Sequence, residues 1–325
     1  MDSAAAVCTK AGDDNVLPAI FYVKDTPPPP AGSSAEIIQS TTQFYRTEHE
    51  AHIRLLGHPR ILRYHGWDNR GLLFDRHPTG DLLRYLLEHR DPPPSLTTRL
   101  QWACDIAEGL AFMHSRGVIW VDVSLGNVLI SADHRAILCD FAGSRILSVD
   151  GQRILPAEYS QAQVSISPIM SMPRYPHALL WQGPGSPYPY PDMLDFTPSD
   201  DRFGFGIVLF CLLTFRFPHS STLVVRDFQM AEKIFHLHHK HVFDTLGNTN
   251  GYQDLEAIIQ KCFRAEYRSS EDLLVELRAA CNAMPPDVQL LQDKVHDPVL
   301  EFAKRESGRD FYPFDVPDDL SDDFP

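Results

Sequence analysis

The sequence is poor in basic charge: 29 Lys and Arg stand against 43 Asp and Glu, for a net charge of −14. That balance argues against a general nucleic-acid binder, whose footprint is a basic face, although it leaves room for a local basic patch. Paired cysteines are also missing. Cys8, Cys104, Cys139, Cys211, Cys262 and Cys281 are scattered without CxxC spacing, which points to buried or neutral thiols in a reducing compartment, not to a zinc or disulfide framework. No apolar run is long enough to span a bilayer. The longest, Phe203 to Phe215 (FGFGIVLFCLLTF), lies between Arg202 and Arg216 and reads as a buried core helix. The opening residues, MDSAAAVCTKAGDD, have neither a basic start nor a sustained apolar stretch, so no secretory leader is expected. No internal repeat is visible. These absences together predict an intracellular chain, cytoplasmic or nuclear, with no nucleic-acid partner and no membrane span.

What is present is enough to build a large core: 43% of 325 residues are hydrophobic. Val16 to Lys24 (VLPAIFYVK) reads as a strand, and Pro27 to Pro30 as a loop, since proline continues neither ladder nor helix. Glu36 to Leu56 carries helical periodicity, stopped by Gly57-His58-Pro59. ILRYHGW and GLLFD read as two short strands, Asp81 to Glu88 as a short helix, and Leu96 to Arg116 as a long amphipathic helix closed by Gly117. Val118 to Val121, Val128 to Ile130 and Ala136 to Cys139 are strand-like. Ser144 to Pro198, rich in proline, serine and glycine, reads as a long irregular segment. Helix returns over Asp201 to Phe215, Val225 to His239, Asp254 to Phe263 and Ser270 to Asn282. The end of the chain, Asp310 to Pro325, holds only acidic charges and reads as a mobile tail. A few strands followed by mostly helices predict an α+β, two-lobed chain. HLHHKH (His236, His238, His239, His241) invites a metal reading, but without nearby cysteine it is better read as an exposed helix.

The chemistry concentrates in Gly117 to Gly143, GVIWVDVSLGNVLISADHRAILCDFAG. Asp122 precedes Asn127 by five positions on a loop between a long helix and a strand, and Asp140-Phe141 follows a short hairpin. A carboxylate at Asp122 can accept or orient a hydroxyl proton, while Asn127 and Asp140 offer hard oxygen ligands suited to magnesium. This arrangement resembles the catalytic loop and DFG segment of eukaryotic protein kinases, in the divergent form common among fungal kinase-like proteins.

Other stretches carry the same resemblance. His58-Pro59-Arg60-Ile61 is similar to HPNI, LLFDRHPTGDLLRYL to the hinge and following helix, and Ser199 to Gly206 to the SDVWSFG start of the large helix of the helical lobe. Arg268 before SSEDLL is similar to the closing R-P-S-A-x-E-L region. The likeness covers roughly residues 16 to 282. It implies a two-lobed kinase fold with a truncated β-rich N-lobe (residues 1–76), a helical C-lobe (77–282) and an acidic tail (283–325). It further implies ATP and Mg2+ as cofactors, with Asp122 as catalytic base and Asn127 and Asp140 as metal ligands. Lys24, in FYVKD, takes the place of the phosphate-binding lysine. Glu48, or in the alternative register Glu50, takes that of its helical partner. Asp201 would accept hydrogen bonds from the catalytic-loop backbone.

The departures from the family pattern are specific. No GxGxxG loop precedes Lys24, so the chain reads as beginning within the second strand, and a truncated start would look the same. Trp120 and Val121 replace the histidine and arginine of HRD, removing a cation that would hold a phosphorylated activation loop. Ser124 replaces the lysine that would neutralise the transferring phosphoryl, and Gly126 supplies no substitute. Ala142 follows Phe141, and PRYPHALLW carries no APE glutamate for Arg268. Three functions stay open: a serine/threonine-type protein kinase, a pseudokinase acting as a nucleotide-binding or protein-interaction scaffold, and a small-molecule kinase. The C-terminal helices weigh against the third.

Overall fold

The computed structural model describes residues 21–25, 35–68, 71–147, 196–225, 228–247 and 252–284. The expected tail, the Pro27–Pro30 loop, PRYPHALLW and most of the expected irregular segment lie outside them. The described chain mixes α and β. Strand β1 (Phe21–Asp25) precedes helix α1 (Ala35–Arg54), strands β2 (Tyr64–Asp68) and β3 (Gly71–Asp75), and helices α2 (Leu82–Glu88) and α3 (Leu96–Ser115). Short strands β4 (Val118–Ile119), β5 (Val128–Ile130), β6 (Ala136–Leu138) and β7 (Arg145–Ile146) follow. Helices α4 (Pro198–Thr214), α5 (Phe228–His239), α6 (Gln253–Phe263) and α7 (Ser270–Asn282) complete it.

Strands β1, β3 and β2 form an antiparallel sheet in that order, with Lys24 opposite Leu72. The central strand β3 is buried along its whole length, as a strand covered on both faces must be. Strand β5 pairs with β6, and β4 with β7. Strand β7 falls inside the stretch expected to be irregular. Two residues of ladder carry too little periodicity to be read in sequence, and the pairing with Val118–Ile119 creates the strand.

The helix ends follow capping chemistry. Ser95 accepts from the Thr98 amide at the start of α3, and Ser269 from the Asp272 amide at the start of α7. Helix α4 begins at Pro198, earlier than the expected Asp201. A capping box between Thr197 and Asp200, with proline in the first turn, adds a turn before the apolar run.

Helix α3 is the axis of the core. It packs on α4, α7 and the β5–β6 hairpin, and Leu100, Trp102, Ile106, Leu110 and Met113 are all fully buried. The apolar helix α4 packs on α6 and is buried as expected. A second cluster, Leu62, Tyr64, Leu72, Phe74, Ile137 and Cys139, joins the sheet to β6. All five described cysteines are buried and unpaired by disulfide, in line with the neutral-thiol reading. His238 corrects the exposed-helix reading of HLHHKH. It is only 5% exposed and packs on Phe203, Phe243 and Phe263, so burial, then the neighbouring His219, pushes its pKa down to about 4. The alternation that would reveal a buried histidine is hidden in a run of near-identical polar residues.

Gly206 marks a close approach of α4 to α6. A Cβ there would lie 2.7 Å from the Cβ of Cys262 and 3.1 Å from the Phe263 ring. Gly206→Ala is therefore expected to lower stability by about 1–3 kcal/mol through overpacking of α4 on α6, even though alanine favours helix. Chemical denaturation of the two proteins measures the difference.

Candidate active site

Candidate residues from β1, α1, the loop after β4 and the segment after β6 come together. Lys24 projects from β1 and Glu48 from α1. Lys24 Nζ lies 2.5 Å from Glu48 Oε2 and 3.1 Å from Asp140 Oδ1. Glu50, the alternative partner, lies on another face of α1 and instead pairs with Arg54 one turn on. The Lys24 and Glu48 side chains are 15% and 2% exposed. Burial works against the lysine ammonium, but Glu48 and then Asp140 outweigh it and raise its pKa above the ordinary value. That shift favours the charged ammonium, held between the Glu48 and Asp140 side chains.

Asp122 and Asn127 lie on the loop after β4. Asn127 Nδ2 donates to both the carbonyl oxygen of Asp122 (3.0 Å) and its carboxylate Oδ2 (2.9 Å). The amide oxygen of Asn127 is then its atom suited to a cation. A single turn of 3-10 helix, Leu125–Asn127, leads straight into β5, and Asp140 follows β6. One short hairpin therefore sets the spacing between Asn127 and Asp140.

That hairpin is held by a group that sequence reading missed. Asp105, fully buried on α3, takes a two-pronged bond from Arg135, at 2.9 Å to Nε and 2.6 Å to Nη2, and a third from the Ala136 amide. The available signal was a lone aspartate on the apolar face of WACDIAEGL.

The loop carrying Asp122 is held from α4. Asp201, fully buried, accepts from the Trp120 amide at 2.7 Å and the Val121 amide at 2.8 Å, as expected. Its Oδ2 also meets His114 Nε2 at 2.8 Å, and His114 Nδ1 meets Ser270 Oγ of α7 at 2.6 Å. These bonds hold Val121 at φ 70°, a left-handed conformation that a β-branched residue resists. Ser124 Oγ is buried with no hydrogen-bond partner among the described residues, and brings no charge to the loop.

A column of rings joins α1 to this loop. His52, one turn after Glu48, lies 4.8 Å from both Phe74 and Phe141 and 5.3 Å from Tyr64, centroid to centroid. Phe141 meets Trp120 edge-on at 6.1 Å. Trp120 Nε1 donates to the carbonyls of Cys139 and Asp140, each at 3.2 Å. Sequence reading passed over His52, although its four-residue spacing from Glu48 places it on the same helical face. Burial, then the charge of Lys24 and the neighbouring His49, push its pKa down to about 3, so it is neutral in the fold.

A lysine bracketed by two carboxylates, beside an Asp–Asn loop on a hairpin that ends in a second aspartate, makes a phosphate and metal site plausible chemistry. The comparisons with known proteins point to one family. A family profile described as protein tyrosine and serine/threonine kinase matches residues 34–174. The matched stretch is a eukaryotic protein kinase-like domain. The matched span includes Glu48, Asp122, Asn127 and Asp140, and begins after Lys24. Among curated relatives, this kinase-like domain is 29% identical over 171 residues to a leucine-rich repeat receptor-like tyrosine-protein kinase, PXC3, of Arabidopsis thaliana, covering 47% of the chain and 18% of that protein. It is 30% identical over 189 residues to a probable LRR receptor-like serine/threonine-protein kinase of the same plant, covering 51% and 24%. A receptor-like cytoplasmic serine/threonine-protein kinase of Gossypium barbadense, described as EPD1-interacting, is 29% identical over 183 residues, covering 54% and 35%. The alignments thus span about a third or less of these relatives' length. Among the described residues no helix is long and apolar enough to cross a membrane.

Two outcomes test the supports of the kinase-like site. Asp201→Ala leaves two amides and His114 without their acceptor and is expected to cost about 3–5 kcal/mol, with Asp201→Asn losing less, read from urea unfolding. His52 contributes stability that is full above its ordinary pKa of 6.5 and is lost as pH falls toward about 3, because the unfolded chain takes up a proton that the fold refuses. His52→Leu should flatten the acid side of the stability curve by up to about 1.4 kcal/mol per pH unit, measured by denaturation between those limits.

Proposed function

We propose that this chain is a protein kinase-like phosphotransferase that moves the γ-phosphate of ATP to a serine or threonine hydroxyl of a protein, using Mg2+. The observation that carries the reading is Lys24 held between Glu48 and Asp140, beside Asp122 and Asn127 joined by the asparagine amide. The donor set fits magnesium. Asn127 and Asp140 supply hard oxygens, and among the described residues no cluster of three His, Cys, Asp or Glu side chains forms a protein-only metal cage. Magnesium is commonly held by one or two side chains plus substrate phosphates and water. Bound there, it would neutralise charge on the phosphate oxygens. Lys24 would bind phosphate oxygens, and Asp122 would orient the acceptor hydroxyl and take its proton.

On this reading the fold is two-lobed. Residues 1–76 form a shortened N-lobe, 77–282 a C-lobe, and 283–325 an acidic tail. The partners are ATP and a protein substrate, and the setting is cytoplasmic or nuclear. A second reading, a pseudokinase that binds nucleotide or protein without transfer, is favoured by Ser124 and Gly126, which place no cation where phosphoryl charge develops. Loss of one such preorganised group costs roughly 10²–10³ in rate, so turnover is expected that far below the about 1–100 s⁻¹ of ordinary kinases.

Transfer of the ATP γ-phosphate to a generic protein substrate with Mg2+ tests the proposal, with Asp122→Asn as the control. Slow transfer in the wild type, reduced roughly 10²-fold or more in the variant, supports the enzyme. Equal background in both favours the pseudokinase. Independently of turnover, Asp140→Asn is expected to weaken magnesium-dependent nucleotide binding, measured by titration calorimetry. An unchanged affinity would remove Asp140 from the metal site.

A further inference from the structure

Away from the kinase-like site, two thiols face each other inside the helical core. Cys104 lies on α3 and Cys281 in the last turn of α7, and they are 3% and 0% exposed. Their sulfur atoms are 3.8 Å apart. Among the described residues this is the one pair of cysteine sulfurs in contact. Cys139 instead donates to the Asn127 carbonyl.

From this juxtaposition we propose that Cys104 and Cys281 form a reversible disulfide that couples α3 to α7 when the protein meets a peroxide. A disulfide needs the sulfurs at about 2.05 Å, with the two chains already brought side by side. Rotation of both side chains about their Cα–Cβ bonds changes the separation without displacing either helix. Cys281 is placed to react first. Its contact with the Cys104 sulfur lowers its pKa against the opposing effect of burial and favours the thiolate. Arg278, one turn before Cys281, pairs with Glu108 of α3 at 3.5 Å and ties the same two helices together. Although the pair is buried, it lies beside the exposed residues Asn282 and Ala283, where α7 ends and frays most readily.

The chemistry balances. The Cys281 thiolate attacks one peroxide oxygen, the O–O bond breaks, and the leaving oxygen departs as hydroxide or alkoxide and takes up a proton. Cys281 is then a sulfenic acid. The Cys104 sulfur attacks the Cys281 sulfur, the S–O bond breaks, and the oxygen leaves as water with the Cys104 proton. Two thiols lose two electrons and two protons, and one peroxide is reduced.

The link would close a loop running from α3 through the Asp122 loop to the end of α7. It would act on the same helix pair that the His114–Ser270 hydrogen bond joins. The inference does not depend on phosphoryl transfer.

The test treats the folded, full-length chain with hydrogen peroxide, blocks remaining thiols, digests without reductant, and maps peptides by mass spectrometry. The expected result is one peptide pair joined through Cys104 and Cys281, released by dithiothreitol and absent when the chain is unfolded before oxidation. The thermal midpoint of the oxidised protein should rise and return on reduction, because the link restricts the unfolded chain. Cys104→Ala and Cys281→Ala should each abolish both effects. Recovery of both peptides as separate blocked thiols overturns the proposal. So does Cys281 found as sulfinic acid without a link, or joined to another cysteine. Should either variant fail to fold, the wild-type peptide map decides alone.

Discussion

The carboxylate of Asp201 is fully buried, and every group around it is arranged to justify that burial. Two successive backbone amides, Trp120 and Val121, and one imidazole, His114, converge on its two oxygens. A buried carboxylate is tolerable only with such a complete set of partners. In exchange it fixes a loop that would otherwise relax, since Val121 sits in a left-handed conformation that its branched side chain disfavours. Asp122 directly follows. The position of the candidate base is therefore set by a residue far along the chain, on a helix that packs behind the loop.

A second set of constraints reaches the same loop from the sheet. Lys24 is drawn to Glu48 on one side and Asp140 on the other, and His52, one turn on from Glu48, packs against Phe141 with its ring tilted. Trp120 closes the column, with its indole N–H on the carbonyls of Cys139 and Asp140. Helix α1, the sheet and the Asp140 segment thus share contacts. Any shift of α1 would be felt as a lost ion pair and a disrupted ring stack together. Packed interiors respond to such changes in steps, not gradually.

The same region carries the departures from the family pattern. Trp120 fills its position with ring packing and two carbonyl contacts, so that replacement keeps a structural role. Val121 and Ser124 bring no charge, and Ser124 Oγ is left buried without a partner among the described residues. The scaffold that holds the carboxylates is in place, while on the proposed reading the groups that would act on developing phosphate charge are reduced. Positioning and electrostatic stabilisation have come apart here, which is why the proposal is a slow enzyme and its rival a silent one.

Much of the architecture was legible in the sequence. Helices over Ser270–Asn282 and Leu96–Arg116 followed from apolar periodicity and the closing Gly117, and the caps Ser269 and Ser95 seen in the structure are equally local. Asp122, Asn127 and Asp140 were legible because their spacing is itself a pattern on a loop and hairpin. What sequence could not decide was which distant groups meet. The choice of Glu48 over Glu50 depended on the rotation of α1 against β1. The Arg135–Asp105 clasp joins residues thirty positions apart, and Cys104 meets Cys281 across 177 positions. The burial of His52 and His238 depended on rings contributed by other elements. Periodicity and capping are encoded within a turn or two of chain, whereas contacts between helices exist only once the core has packed.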